Sequence, residues 1–331
     1  MILGSYRIEI PFEELKGYKR ILIQLPSGLK IYARKIIDIL EEKTKADILV
    51  SSDPCFGACD LAVDTALSMD ADLLLHFGHL PIPNLKIDFP VKFVDVIMDI
   101  DVSSVTDLIV SGVTEKNISI VTTAQHIRYL NEIRKNLEKR GYRVRIDEGD
   151  GRIAQPGLVL GCNFSSVSRD AEAVVFVGTG TFHPVGISIS TRKPVYSLDP
   201  VSMTLTSPNE ISAMADRLIK RRFYLITASQ GSENFGILVS KKPGQNRMDV
   251  ALSIRKKLEE KRKKSCIIVT DTIQPDMLRD FGKFDCFIST ACPRIALDDH
   301  EMFDAPIITP VEFEILIGER KFDDYIFDSI T

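Results

Sequence analysis

The chain has 331 residues, 44% apolar and 27% charged, an ordinary globular composition with ample material for buried cores. Lys and Arg total 42 against 46 Asp and Glu, a formal net charge of −4, which argues against general binding to nucleic acid or to an anionic membrane. No apolar run approaches the roughly 18 residues of a membrane span, Met1–Arg20 lacks the apolar core of a secretory signal, and six cysteines are too few for a disulfide scaffold, so a cytoplasmic protein with available thiols is expected.

The elements follow a fixed order. Apolar runs at Ile21–Gly28, Ala46–Asp53 and Ala71–His79, with a shorter one at Val91–Val94, read as strands, and the charged amphipathic stretch 29–43 reads as a helix. The order returns at Ile118–His126, Gly157–Gly161, Ala173–Gly180 and Pro194–Tyr196, with a helix over 126–140. It returns again at Gly236–Gln245, Ser265–Asp271, Phe284–Thr290 and Pro306–Ile308, with a helix over 246–264. Matching positions recur at roughly 105 residues, the scale of whole domains. The expected fold is α/β, built from three similar small parallel-sheet βα domains at 1–115, 116–222 and 223–331. A chain of unrelated βα units is the alternative reading of the same recurrence. Residues 145–157 and 199–222 are the expected connections. The basic runs Arg217–Arg222 and Arg255–Lys264 are interleaved with Leu and Ile, the pattern of solvated helix faces rather than of nucleic-acid sites.

In open parallel sheets, ligands gather beyond the carboxyl ends of the strands. Three cysteines fall there, one in each repeat: Cys59 and Cys162 after second strands, and Cys292 after a third strand. Three soft thiolates converging on a pseudo-threefold axis suit a central iron–sulfur cluster, in which the missing fourth thiolate leaves one iron open to substrate. Their spacing matches no short metal motif, and three unrelated loop cysteines fit the spacing equally well. Cys266 and Cys286 lie inside apolar runs and are expected in the core. Cys55 forms C-x3-C with Cys59, but no second pair or His cluster completes a zinc pattern. The strand-end segments also hold Gln24, Pro26, Ser27, Gly28, His79, Gln125, Gly178, Thr179, Gly180, His183 and Gln245 as candidates for ligand contact. Gly178 and Gly180 would let backbone N–H groups approach a ligand closely, and a tight turn explains them equally well. Arg294 suits a carboxylate, and Asp298-Asp299 either a cation or a helix cap.

The segments Asp53-Pro-Cys-Phe-Gly-Ala-Cys59, Leu160-Gly-Cys-Asn-Phe164, Gly178-Thr-Gly-Thr-Phe-His183 and Ser289-Thr-Ala-Cys-Pro-Arg-Ile-Ala-Leu-Asp-Asp299 closely resemble the diphthamide-biosynthesis enzymes, the 2-(3-amino-3-carboxypropyl)histidine synthases. The resemblance runs from the Gln24–Gly28 loop to Thr309-Pro-Val-Glu312, and the chain's length looks like the archaeal, homodimeric form. It implies three α/β domains, each donating one cysteine to a 4Fe–4S cluster, with Cys59, Cys162 and Cys292 as the matching positions. It also implies S-adenosylmethionine as substrate, reduced by one electron from an external donor and cleaved at the Cγ–S bond with release of methylthioadenosine. The 3-amino-3-carboxypropyl group would then pass to the imidazole C2 of a histidine in translation elongation factor 2. The local C-x3-C-x2-C run of ordinary radical-SAM enzymes is absent. Rival readings stand beside this expectation: a three-cysteine cluster enzyme of the quinolinate synthase type, in which the open iron acts as a Lewis acid in a condensation–dehydration, and a non-catalytic cluster-bearing partner subunit or structural zinc protein.

Overall fold

The computed structural model describes all 331 residues. Fifteen strands form three sheets from three successive stretches of chain. The first sheet uses β1 (Ile2–Leu3), β2 (Tyr6–Glu9), β3 (Arg20–Gln24), β4 (Asp47–Val50), β5 (Leu73–Phe77) and β6 (Val91–Met98) in the order β1-β2-β6-β5-β3-β4. Its core is parallel, but β2 lies antiparallel to β6, so the sheet is mixed. The second uses β7 (Asn117–Thr122), β8 (Arg143–Arg145), β9 (Ala173–Val177), β10 (Val195–Asp199) and β11 (Thr204–Thr206) in the order β11-β10-β9-β7-β8. The third, β12 (Asn234–Ser240), β13 (Lys264–Thr270), β14 (Cys286–Ser289) and β15 (Ile307–Ile308), is parallel throughout in the order β13-β12-β14-β15.

The helices are α1 (Ala33–Thr44), α2 (Val63–Ser68), α3 (Val102–Gly112), α4 (Leu130–Glu138), α5 (Phe182–Thr191), α6 (Pro208–Ala228), α7 (Met248–Glu260), α8 (Pro275–Arg279), α9 (Pro293–Asp298) and α10 (Pro310–Leu316). Helices and loops bury both faces of the central strands, which is why these strands read as continuous apolar runs rather than alternating ones. In the first sheet Ile21, Ile23, Leu73 and Leu75 pack with Ile36 and Leu40 of α1, while Leu22 and Leu74 point the other way onto Leu61 and Ala66. The third repeats the arrangement, with Ile237, Val239, Cys286 and Ile288 against α7 and α10, and Leu238, Ile268 and Phe287 against Leu278 and Ala296.

The chain divides into two compact units. One comprises residues 1–159, 165–179 and 198–205; the other comprises 160–164, 180–197 and 206–331. No helix is long and apolar enough to cross a membrane.

Four expectations change. Gly157–Gly161 is not a strand: Thr122 N–H bonds the Gly157 carbonyl and Val159 N–H returns to Thr122, at 2.9 Å each, while β8 takes the neighbouring ladder position. Gly157 enters the run in a turn conformation, φ +77, and the chain folds back at Leu160–Asn163 after these two bonds. The expected connection 199–222 instead contributes β11 and most of α6, which begins with a capping box between Ser207 and Glu210. Within Arg217–Arg222, Arg217, Lys220 and Arg221 are exposed, but Arg222 is fully buried. Cys266 is exposed, because β13 is an edge strand with a neighbour on one side only.

Candidate functional site

In the first unit the site is built on the carboxyl ends of β3 and β5. Gln24 and His76 are paired in register across the two strands, so their side chains meet on one face. Gln24, only 1% exposed, donates from Nε2 to the Asp60 carbonyl at 2.6 Å, and its Oε1 accepts from Ala62 N–H at 3.2 Å. These contacts brace the loop on both sides of Leu61, two residues after Cys59. They also fix the amide orientation, making Oε1 an acceptor for His76 Nδ1 at 2.9 Å. His76 therefore carries its proton on Nδ1, and its Nε2 accepts from His79 Nδ1–H at 2.9 Å. The chain ends at His79 Nε2, which keeps its lone pair.

Burial, with mutual repulsion from His79, pushes His76 down to about 3, and burial takes His79 to about 4. Both imidazoles are neutral near pH 7. The Cys55 sulfur lies with them, with ligand atoms of Cys55, His76 and His79 all within 4.8 Å of one another. Gln125 donates to the Gly78 carbonyl at 2.8 Å. Gly78 has φ +82, and a Cβ there would meet Pro26 at 3.4 Å, so the Pro26–Gly28 turn packs on the same corner. Ser27 begins a short 3-10 helix and is exposed with Gly28.

In the second unit Leu160-Gly161-Cys162-Asn163 is a tight turn closed by reciprocal backbone bonds of 2.9 and 3.2 Å between Leu160 and Asn163. Cys162 is buried at its tip. A Cβ on Gly161 would sit 3.0 Å from the Phe182 ring and 3.5 Å from Arg294 Cδ, so this glycine permits a close approach. Cys292 caps α9 after β14 and is half-buried. The Arg294 guanidinium stacks over Phe182 at 4.0 Å and bonds Asp298 at 2.7 Å, the pairing open to it from sequence. His183 opens α5 against Phe182, and burial together with the Arg294 charge lowers it to about 4. Cys162, Arg294 and His183 thus share one neighbourhood around Phe182.

Gln245 is buried. Gly180 has φ +80 with open space around it, and Gly178 N–H bonds the Leu198 carbonyl at 2.9 Å. A cleft of about 560 Å3 in the second unit, lined by Ser188, Arg192, Asp216 and Phe322 among others, contains none of the sequence-predicted residues.

Sequence reading missed His76, hidden in an apolar strand, and Arg247. The latter donates to the carbonyls of Thr290 at 2.6 Å and Ala291 at 3.2 Å, immediately before Cys292. Its position two residues beyond Gln245 is the signal that was there to find.

The donors suit an iron–sulfur cluster. Cys59, Cys162 and Cys292 are thiols in loops rather than in strand interiors, and Phe182 and Phe164 flank the Cys162 turn. Cys286 offers the contrast: burial pushes its thiol up to about 12, so it keeps its proton and remains a core residue.

Known proteins resemble the chain over nearly its whole length. Residues 25–326 match the family described as diphthamide synthesis protein. The chain is 35% identical to the 2-(3-amino-3-carboxypropyl)histidine synthase of Pyrococcus horikoshii, over 97% of this chain and 94% of that one. It is 28% identical to subunit 1 of the human synthase, over 96% of this chain and 73% of that one. A crystal structure of Dph2 from Pyrococcus horikoshii with a 4Fe-4S cluster superposes with a TM-score of 0.88 at 34% identity, covering 97% of this chain and 94% of that chain. The chain belongs to the diphthamide synthesis family.

Proposed function

We propose that this chain is a 2-(3-amino-3-carboxypropyl)histidine synthase acting in the first step of diphthamide formation. The observation that carries the reading is the near full-length match, in sequence and fold, to a synthase whose structure contains a 4Fe-4S cluster. Cys59, Cys162 and Cys292 hold the cluster, one thiolate from each of the segments 1–115, 116–222 and 223–331. A 4Fe-4S cluster held there, reduced by an external one-electron donor, would supply the electron that cleaves the Cγ–S bond of S-adenosylmethionine with release of methylthioadenosine.

The protein's work is placement and exclusion of water. Gln24 and Gln125 brace the loops around Cys59 and Gly78, with Pro26, Ser27 and Gly28 closing the same corner. His79, with its free Nε2 lone pair, His183, Gln245 and the Gly178-Thr179-Gly180 segment line the bound S-adenosylmethionine. Arg294, stacked on Phe182, supplies the positive charge for its carboxylate. Neutral His79 and His183 suit a cationic sulfonium, because they add no repelling charge. The acceptor is one histidine of translation elongation factor 2, and the enzyme works as a homodimer in the cytoplasm.

The test is anaerobic reconstitution with iron and sulfide, then addition of S-adenosylmethionine, dithionite and archaeal elongation factor 2. Methylthioadenosine is expected, with transfer of label from carboxyl-labelled S-adenosylmethionine to the elongation factor. 5′-Deoxyadenosine, or no nucleoside product from a cluster-loaded enzyme, would overturn the reading, as would undiminished labelling of a factor lacking the target histidine.

A further inference from the structure

Residues 325–331 form no helix or strand, yet Tyr325, Phe327, Asp328 and Ile330 are buried. A segment without regular structure is ordinarily exposed and loosely held; this one is tied down at both cysteine loops of the second unit. Ile330 N–H donates to the Cys162 carbonyl at 3.0 Å, and the Ile330 carbonyl accepts from Asn163 Nδ2, also at 3.0 Å. Phe327 meets Phe164 edge to face with ring centres 5.3 Å apart. On the other side Asp328 accepts two bonds from Arg247, at 2.9 and 2.6 Å. The remaining Arg247 donors hold the Thr290 and Ala291 carbonyls. One short segment therefore grips the Cys162 backbone directly and the Cys292 approach through a single guanidinium.

We infer that residues 327–330 are a strap that sets the separation of the Cys162 and Cys292 loops, with Ile330, Asp328 and Arg247 as positioning residues for cluster ligation. The inference rests on the reading that these two cysteines are cluster ligands. A preformed pair of thiolates binds metal without first ordering two loops, and partners beyond the ligands themselves set that geometry.

The decisive variant is Ile330→Pro, which deletes one N–H donor; Ile330→Leu restores it with a similar side chain. Asp328→Ala probes the Arg247 arm. Tyr325→Phe is the control: it loses a bond to Glu312 in the same segment but touches neither cysteine loop. After anaerobic reconstitution, iron release to a chelator should be about tenfold or more faster in Ile330→Pro and Asp328→Ala. Release should be unchanged in Ile330→Leu and Tyr325→Phe. In cluster-free protein, alkylation of Cys162 should accelerate in Ile330→Pro and alkylation of Cys292 in Asp328→Ala. Wild-type release and alkylation rates in both variants would overturn the strap, and so would equal acceleration in Tyr325→Phe. If wild-type protein takes up no cluster while alkylation still accelerates as described, the cluster reading fails and the strap stands as a clamp on the loops.

Discussion

Two buried polar networks pin distant segments of this protein together, and they are built from opposite chemistry. In the first unit the Gln24–His76–His79 chain is neutral throughout. In the second, Arg222 of α6 is fully buried and paired through two bonds, at 2.7 and 2.6 Å, with equally buried Glu312. Arg222 also donates to the carbonyls of Ala296 and Ile307, and Tyr325 donates to Glu312 at 3.1 Å. Glu312 further accepts the Thr309 N–H in the capping box that starts α10. A neutral chain loses one net hydrogen bond at a time. A buried ion pair fails as a unit, since removing either partner strands a charge in a medium that cannot solvate it.

The largest expected effect follows. Glu312→Ala leaves the Arg222 guanidinium buried without its counter-charge and should destabilise the cluster-free protein by about 3–5 kcal/mol in urea unfolding. A cost below about 1 kcal/mol would mean that water or a relaxed backbone takes over the role of Glu312. The prediction concerns the second unit alone, so hydrogen exchange should quicken in α6 and α10 before it does in β3 and β5.

The neutral network is expected to show itself in acid. His76 and His79 have folded pKa values near 3 and 4, below the ordinary value of 6.5. The unfolded chain therefore takes up protons first as pH falls, and their contribution to stability is complete above about 6.5 and is lost progressively below it. The slope is at most about 1.4 kcal/mol per pH unit per imidazole. Urea midpoints should fall steadily from pH 6.5 to 4.5, with the other lowered histidines, His126, His183 and His300, adding to the slope and the raised carboxyls of Asp299 and Asp328 opposing it. Imidazole proton resonances of His76 and His79 should not titrate above pH 5. A normal titration near 6.5 would mean that the Gln24–His76–His79 chain does not form in solution.

The strands were legible because both faces of the central strands are covered, which leaves runs such as Leu73–Phe77 apolar at nearly every position. The cysteine loops were legible as loops, because Cys59, Cys162 and Cys292 each stand outside the apolar runs. Partnerships between distant residues were not. Arg222 looks like any member of a basic run until Glu312 arrives from 90 residues away, and His76 sits among leucines with nothing local to mark it. Tyr6–Glu9 carries charge at alternate positions, as an outer antiparallel strand does, and no apolar run announced it. The expected strand at Gly157–Gly161 failed for the converse reason: an apolar run was present, but the chain folds back in the Leu160–Asn163 turn after two backbone bonds.

The smallest expected effect separates two cysteines that the sequence places in the same class. Cys286 lies on β14, between β12 and β15, wholly buried with Ile237, Val239 and Phe313. Cys266 lies on β13, at the sheet's edge, where strand periodicity alone cannot say whether the outer face is covered. Exposed, it makes little packing contribution, so Cys266→Ser should change stability by no more than about 0.5 kcal/mol. The same variant should keep the cluster's visible absorption, since this thiol stands outside the proposed ligand set. Faster alkylation of Cys266 than of Cys286 in native protein would place the difference between them in exposure. Equal protection of the two would mean that another surface covers the β13 edge in solution, as the proposed dimer could.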